Sequence, residues 1–390
     1  MSANPLAAHY TRFRVAERLL LTGHSHQAWP DVALAGQLAA FEDAAQHVDE
    51  KWERAFAQAE RVRAGFRALL GDPSAELALG ASTHELVLRF LSALDLRARP
   101  RLVTTDGEFH TLRRQLARLA EAGIDVVRVP ARPVDTLAER LAAVADDRAA
   151  AVLVSAVLFE DARIVPGLDV LATACAARDT ELLVDAYHAL GALPFVTPPA
   201  AWVVGGGYKY LQLGEGNCFL RVPEHAYALR PAITGWFAEF GELAAPPRPG
   251  QVAYARGAAA FAGSTYDPTS HYRAARVFDF FAEQRLTPDA LRASYRRQVE
   301  LLAATFDALA LPDDVVTRDR ATPLERFGGF LALRAPRAAE LQRALAERGV
   351  LTDTRGDYLR LGPAPYLSDA QLEEAVGVLG SVVRGILAPR

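Results

Sequence analysis

Lysine is nearly missing from this chain. Only Lys51 and Lys209 are lysines, against 41 arginines. Where charge alone matters, composition has favoured arginine, so a surviving lysine needs a reason. An amine can lose its proton and add to a carbonyl; a guanidinium cannot. Cysteine is scarce too, with only Cys175 and Cys218. That excludes a disulfide scaffold and Cys-rich zinc or iron–sulfur sites, and no metal site is expected. Long apolar runs are also lacking. Leu19-Leu20-Leu21 is far too short to cross a bilayer, and Met1 to Arg14 hold no signal-peptide core. Positive charge is not in excess: the net charge is −4 and the pI about 6.2. The expectation is a soluble cytoplasmic protein with no nucleic-acid or membrane partner.

What is present is a chain of 390 residues, 51% hydrophobic and 23% charged, which is too apolar for disorder. Helical spacing runs over residues 34–70 through Leu38, Phe41, Ala45, Trp52, Phe56, Ala59 and Val62, and Gly71-Asp72-Pro73 stops it. From about residue 75 to 225, short β-rich runs alternate with helical stretches. The strands expected are 77–80, 101–105, 126–129, 150–155, 181–185, 202–205 and 218–222. Such alternation implies βαβ units in a large, mainly parallel sheet covered by helices on both faces. Pro246-Pro247-Arg248-Pro249-Gly250 is the best candidate break. Helices over 271–283 and 288–309 follow, then strand, helix and strand over 327–333, 338–348 and 358–361. This is an α/β chain with an N-terminal arm (1–30), a large domain (31–260) and a small α+β domain (261–390).

Ligands of open α/β sheets sit at the carboxyl ends of the strands. Four polar features fall there. Ser82-Thr83 follow a strand and open a helix, where hydroxyls and free N–H groups suit a phosphate; the plain alternative is a helix N-cap. Phe109 ends the next strand and can stack on a flat ring, or simply pack. Asp185 ends Leu182-Leu183-Val184 and can pair with a protonated ring nitrogen, or start a turn; His188 follows three residues on. Lys209 sits in Gly205-Gly206-Gly207-Tyr208-Lys209-Tyr210, among apolar and aromatic neighbours that lower an amine pKa by desolvation. Lys51 lies among Asp49, Glu50 and Glu53 and reads as a surface charge. A phosphate helix, stacking aromatic, Asp and Lys in this order are the parts that pyridoxal 5'-phosphate requires.

These residues resemble the class V (cysteine-desulfurase-like) aminotransferase fold, type I of the pyridoxal-phosphate enzymes, and within it the kynureninase family. The resemblance is carried by Val184-Asp185-Ala186-Tyr187-His188-Ala189-Leu190-Gly191 and Gly207-Tyr208-Lys209-Tyr210-Leu211, with Gly214-Glu215-Gly216 and Gly235-Trp236. It implies that Lys209 bonds the cofactor, Asp185 partners its ring nitrogen, His188 contacts its ring oxygen and Phe109 stacks on it. Ser82, Thr83, Tyr208 and Trp236 are then phosphate contacts, and Tyr208 also acts in proton transfer. It further implies a homodimer with a shared active site, in which Gly263-Ser264-Thr265 of a second subunit reaches the phosphate. Arg360 matches the arginine that binds the substrate carboxylate. Gly23-His24-Ser25-His26 stands where the family has Gly-Asn-Ser-Leu-Gly, so His24 and Ser25 become substrate contacts.

Four places depart from the pattern: Glu85 replaces an asparagine, Gly206 a hydroxyl or thiol residue, Leu112 an aspartate, and Gly263-Ser264-Thr265-Tyr266-Asp267-Pro268 a Gly-Thr-Pro-Pro stretch. The expected activity is hydrolysis of the Cβ–Cγ bond of kynurenine-like amino acids, giving an anthranilate-type acid and L-alanine, as in tryptophan catabolism. The alternative is another class V reaction: transamination, epimerisation or β-elimination. A non-catalytic binding protein of this fold is disfavoured by the retention of Lys209. Cysteine desulfuration is disfavoured too, because neither cysteine falls on a late mobile loop.

Overall fold

The computed structural model describes residues 4–243, 246 and 249–387. Pro247 and Arg248, within the expected break, lie outside the described residues. In chain order the elements are β1 (Leu19–Leu20), α1 (Val32–His47), α2 (Lys51–Leu70), β2 (Glu76–Gly80), α3 (Thr83–Ser92), β3 (Arg101–Thr105), α4 (His110–Glu121), β4 (Asp125–Val129), α5 (Leu137–Val144), β5 (Ala149–Ser155), α6 (Leu168–Ala176), β6 (Glu181–Asp185), β7 (Trp202–Gly206) and β8 (Cys218–Val222). Then come α7 (Thr269–Glu283), α8 (Pro288–Ala308), β9 (Leu331–Arg334), α9 (Ala338–Ala346), β10 (Val350–Leu351), β11 (Asp353–Arg355), β12 (Tyr358–Leu361) and α10 (Asp369–Leu387).

Seven strands form the main sheet in the order β2-β8-β7-β6-β5-β3-β4. The pairs from β7 through to β4 are parallel; β8 alone is reversed, pairing antiparallel with both β7 and β2. β2 therefore ends at the same edge of the sheet as β3, β5, β6 and β7. Side chains alternate between the two faces as strand geometry requires. Val103, Val152, Val184 and Phe219 join one apolar cluster with Val62 and Phe66 of α2, Leu141 of α5 and Leu171 of α6. Leu102, Leu153, Leu183 and Leu220 join the other with Leu86 and Phe90 of α3 and Leu116 of α4. Every residue of β5 is buried, which is why it reads as an unbroken apolar run.

The helix expected over 34–70 is two helices. Val48 takes a positive φ of 47°, which ends α1, and the chain restarts at Lys51. The stripe through Leu38 and Phe41 is not a core face: both are exposed, at 53% and 72%. α1 instead buries Ala33, Gly36 and Ala40, and a Cβ at Gly36 would meet the Tyr272 carbonyl of α7 at 2.6 Å. Small residues let the two helices approach, so periodicity of large side chains pointed to the wrong face. The stop at Gly71 is as expected: its φ is +62°, and its N–H caps the Arg67 and Ala68 carbonyls.

A second, antiparallel sheet β11-β12-β9 carries the C-terminal part, with α8, α9 and α10 packed around it. The N-terminal arm is tied to this part. β1 pairs parallel with β10, and Thr22 bridges Gly362. That pairing brings Gly23-His24-Ser25 beside the end of β12. Among the described residues no helix is long and apolar enough to cross a membrane.

Candidate active site

The loops leaving β2, β3, β5, β6 and β7 converge at one sheet edge, and the strand-end residues meet there. Ser82 caps α3: its Oγ accepts the Glu85 N–H at 3.3 Å, and Thr83 opens the helix. Thr83, Phe109 and Asp185 line one narrow cavity with Thr111 and Leu183. The Asp185 Oδ1 accepts the Tyr187 N–H at 2.8 Å. Asp185 is partly accessible through this cavity, yet desolvation raises its carboxyl pKa, with the Tyr187 N–H and Lys209 opposing. The carboxylate has no cationic hydrogen-bond partner among the described residues, so a protonated ring nitrogen in the cavity would supply one.

Lys209 is 6% exposed. Its Nζ lies 2.7 Å from His188 Nε2, and 4.7, 5.4 and 5.8 Å from the ring centres of Tyr187, Phe109 and Tyr208. Desolvation lowers the amine to about 7; Asp185 pulls it upward, while Arg360 and Arg355 push it further down. Burial, then the Lys209 charge, holds His188 well below the usual imidazole range. The other ring nitrogen of His188, Nδ1, is buried without a partner, so the Lys209 amine is the one polar group bonded to this ring among the described residues. The Tyr208 phenol is pushed up to about 12 by desolvation and stays protonated.

Gly206 explains one departure from the family pattern. A Cβ there would meet the Tyr187 oxygen and the Cys218 sulfur, each at 2.6 Å. The Tyr187 ring fills the space that a side chain at 206 would need. Glu85 is equally local: its carboxylate accepts from Arg89 at 3.2 Å along the helix.

Arg360, on β12, is 2% exposed and donates to Asp353 at 2.7 Å and to the Phe159 carbonyl. His24 is fully buried against Phe330, with ring centres 4.4 Å apart; Ser25 is half-buried and contacts His26 at 3.2 Å. His26 stacks on Tyr208 at 4.9 Å. Trp236, Ser264 and Thr265 do not line the narrow cavity of Thr83, Phe109 and Asp185. All three are exposed, Trp236 donates to Thr265 Oγ1 at 3.3 Å, and Ser264 and Thr265 line an open cavity of about 1000 Å³ that also reaches Gly80, Ala81 and Glu85. Lys51, at the start of α2, is a half-exposed surface residue.

Sequence reasoning missed two groups. Glu108 is buried and accepts from Thr105 Oγ1 at 2.7 Å, Ser155 Oγ at 2.6 Å and Ser155 N at 3.2 Å. Ser155 is the register partner of Asp185 on the neighbouring strand. Asp353 joins two arginines, accepting from Arg355 at 3.0 Å and from Arg360 at 2.7 Å. Ser155 comes to Glu108 from a strand 47 residues away, whereas the Asp353 partners are close in sequence and are set by the β11–β12 pairing, which places Asp353 opposite Arg360.

Comparison with known proteins accords with this geometry. Residues 291–379 match the family described as the kynureninase C-terminal domain. No curated protein matches the chain. A cysteine desulfurase from Thermococcus onnurineus NA1 superposes with a TM-score of 0.80 at 14% identity, covering 99% of both chains. A lysine-to-alanine mutant of C-DES, with glycine covalently linked to its PLP cofactor, superposes at 0.82 and 15% identity, covering 96% of this chain and 99% of that one. A NifS-like protein superposes at 0.73 and 18% identity, covering 94% and 100%. The fold is that of the class V pyridoxal-phosphate enzymes.

Proposed function

We propose that this chain is a pyridoxal-phosphate enzyme that hydrolyses the Cβ–Cγ bond of a kynurenine-like amino acid, releasing an anthranilate-type acid and L-alanine. The observation that carries the cofactor reading is the enclosed Lys209 amine, brought to about 7 and held 2.7 Å from a neutral imidazole. Lys209 would bond the cofactor and Asp185 would pair with its ring nitrogen. Phe109 would stack on the ring, with His188 beside it and Ser82 and Thr83 at the phosphate. When bound, the cofactor supplies an electron sink for negative charge at the substrate Cα.

The protein groups then have separate tasks. An amine near neutrality takes and returns a proton at Cα. The protonated Tyr208 phenol donates a proton to the departing alanine fragment. Arg360 holds the substrate carboxylate. Phe109, Phe159 and Phe330 give the site aromatic walls suited to an aryl ketone. The kynureninase-type match over 291–379, which contains Arg360, supports this substrate class. Desulfuration has less support. Cys175 is buried on α6 and Cys218 on β8, and burial pushes both thiols up to about 12, the opposite of a reactive thiolate.

The test is product analysis with kynurenine and 3-hydroxykynurenine. Anthranilate or its 3-hydroxy form, in equal amount to alanine, is the expected result. Turnover that yields a keto acid and no alanine would sink the hydrolase reading while leaving the cofactor reading intact. We further propose a cytoplasmic homodimer with a shared site.

A further inference from the structure

Glu108 is 2% exposed and stands immediately before Phe109 in the turn from β3 to α4, and no step proposed above uses it. Its two oxygens are held differently. Oε1 accepts from the Thr105 hydroxyl at 2.7 Å and from the Ser155 N–H at 3.2 Å. The Gly107 N–H donates to Thr105 Oγ1 at 3.1 Å, which leaves the hydroxyl proton for Glu108. Oε2 meets Ser155 Oγ at 2.6 Å. A hydroxyl can donate to a carboxylate or accept from a carboxyl O–H, so this one bond reverses while the other two stay as they are. The site therefore holds Glu108 with or without its proton, and no heavy atom has to move. Ser155 is also the register partner of Asp185, and the Ala156 N–H donates to the Asp185 carbonyl at 2.9 Å. Among the described residues no Lys, Arg or His is bonded to the side chain of Glu108 or of Asp185. Burial disfavours the charge on Glu108, the Ser155 and Thr105 hydroxyls favour it, and Asp185 on β6 opposes it. Lys209, after β7, acts on Asp185 in turn, and Asp106 on the same turn as Glu108 is committed to the Ala131 N–H at 2.7 Å.

We propose that Glu108 is a positioning residue that acts on the cofactor ring through Asp185, giving up its proton to water as a cationic ring nitrogen pairs with Asp185. The cation offsets the charge that kept Glu108 neutral, and the ionised Glu108 then adds a second negative charge in support of the ring cation. Binding of the ring is thereby tied to the loss of up to one proton, and the Glu108 O–H is the only bond broken. This deepens the proposed function and rests on Asp185 pairing with the ring nitrogen.

The test uses pyridoxamine 5'-phosphate, which has the ring and the phosphate but no carbonyl for Lys209 to attack. Its affinity for the cofactor-free full chain is measured by calorimetry from pH 5.5 to 8, for the natural protein and for Glu108→Gln. Glutamine can set its NH₂ against Ser155 Oγ and keep both donors to Oε1, so it mimics the protonated form at every pH. Titration of the probe is common to both proteins and drops out of the ratio of their affinities. A ligand whose binding releases a proton binds more tightly as pH rises. The expected result is an affinity of the natural protein, relative to Glu108→Gln, that rises about tenfold from pH 5.5 to 8. Glu108→Met, which also lacks the proton, gives the same comparison if the glutamine variant does not fold. A ratio that stays constant with pH overturns the inference, because a carboxyl that only braced the turn would lower affinity equally throughout. A ratio that falls as pH rises overturns it too. A natural protein that binds no pyridoxamine 5'-phosphate at any pH overturns the cofactor reading itself, and this inference with it.

Discussion

The Lys209 amine lies 2.7 Å from His188 Nε2, and this enclosure disfavours the charged form of both groups. Desolvation brings the amine to about 7 and holds the imidazole far below its normal range. Half of the amine is then unprotonated near pH 7, where a solvated lysine would be almost wholly charged. Uptake of pyridoxal phosphate by cofactor-free protein should follow the free-amine fraction. Its rate is expected to be flat above about pH 8 and to fall roughly tenfold per unit well below pH 7. Stopped-flow absorbance across pH 5–9 checks this; a midpoint near that of a solvated lysine would mean that the amine is open to water.

Two lysines make the next prediction unusually clean. Borohydride reduction of the loaded protein, followed by peptide mapping, should put the adduct on Lys209. Lys51 is half-exposed at the start of α2, and an adduct there would end the whole reading. Lys209→Ala should fold, with a circular dichroism spectrum like that of the parent, and should not turn over substrate.

Among the described residues the Asp185 carboxylate accepts one hydrogen bond, from the Tyr187 N–H, and has no cation bonded to it. Asp185→Asn keeps the shape and the turn but removes the charge that would hold a ring nitrogen protonated. The expected loss is about 10²–10⁴-fold or more in rate, with little change in thermal stability. A rate within tenfold of the parent would make Asp185 a turn residue only.

Much of this was legible because parallel strands buried on both faces leave a strong signature. β5 and β6 are apolar runs that end at Ser155 and Asp185, and the residues after such ends had to meet at one edge. Lys209 stood out because composition had removed almost every other lysine. Other features were hidden for physical reasons. α1 packs through Ala and Gly, so its large exposed side chains misled the periodicity. β1, β10 and β11 have two or three residues each, too few to show a period. Glu108 finds Ser155 on a strand 47 residues away, and the Asp353–Arg360 pair depends on the register of a hairpin whose first strand has only three residues.

Glu108 offers a stability test. Desolvation raises its carboxyl to about 7, against lowering by the Ser155 and Thr105 hydroxyls. A carboxyl raised on folding keeps its full stabilising contribution below its unfolded pKa of about 4.5, and loses it as pH rises through about 7. Glu108→Gln removes that loss. The variant should gain on the parent by about 1–3 kcal/mol at pH 8 relative to pH 5. Urea unfolding at the two pH values measures it, and an unchanged difference between parent and variant would show that Glu108 stays ionised throughout.

The last prediction concerns assembly. Ser264 and Thr265 are exposed, carry a glycine before them and lie on the large cavity that reaches Gly80 and Ala81, away from Lys209. Leu38 and Phe41 lie exposed on α1, and Trp236 and Phe240 near that cavity are also exposed. A second copy that covers such surface and presents its own Ser264 and Thr265 to a phosphate near Ser82 and Thr83 would account for both features. Dimerisation and cofactor retention would then be linked, since a ligand bound only by the assembled state stabilises that state. Light scattering should give twice the chain mass of 42.2 kDa. Replacing Ser264 and Thr265 together by Ala should weaken cofactor binding by about 1.5–3 kcal/mol for each hydrogen bond lost to the phosphate. Dilution of the loaded protein should release cofactor as the dimer dissociates. A monomer that holds its cofactor at full occupancy under dilution would show that one chain completes the phosphate site without its copy.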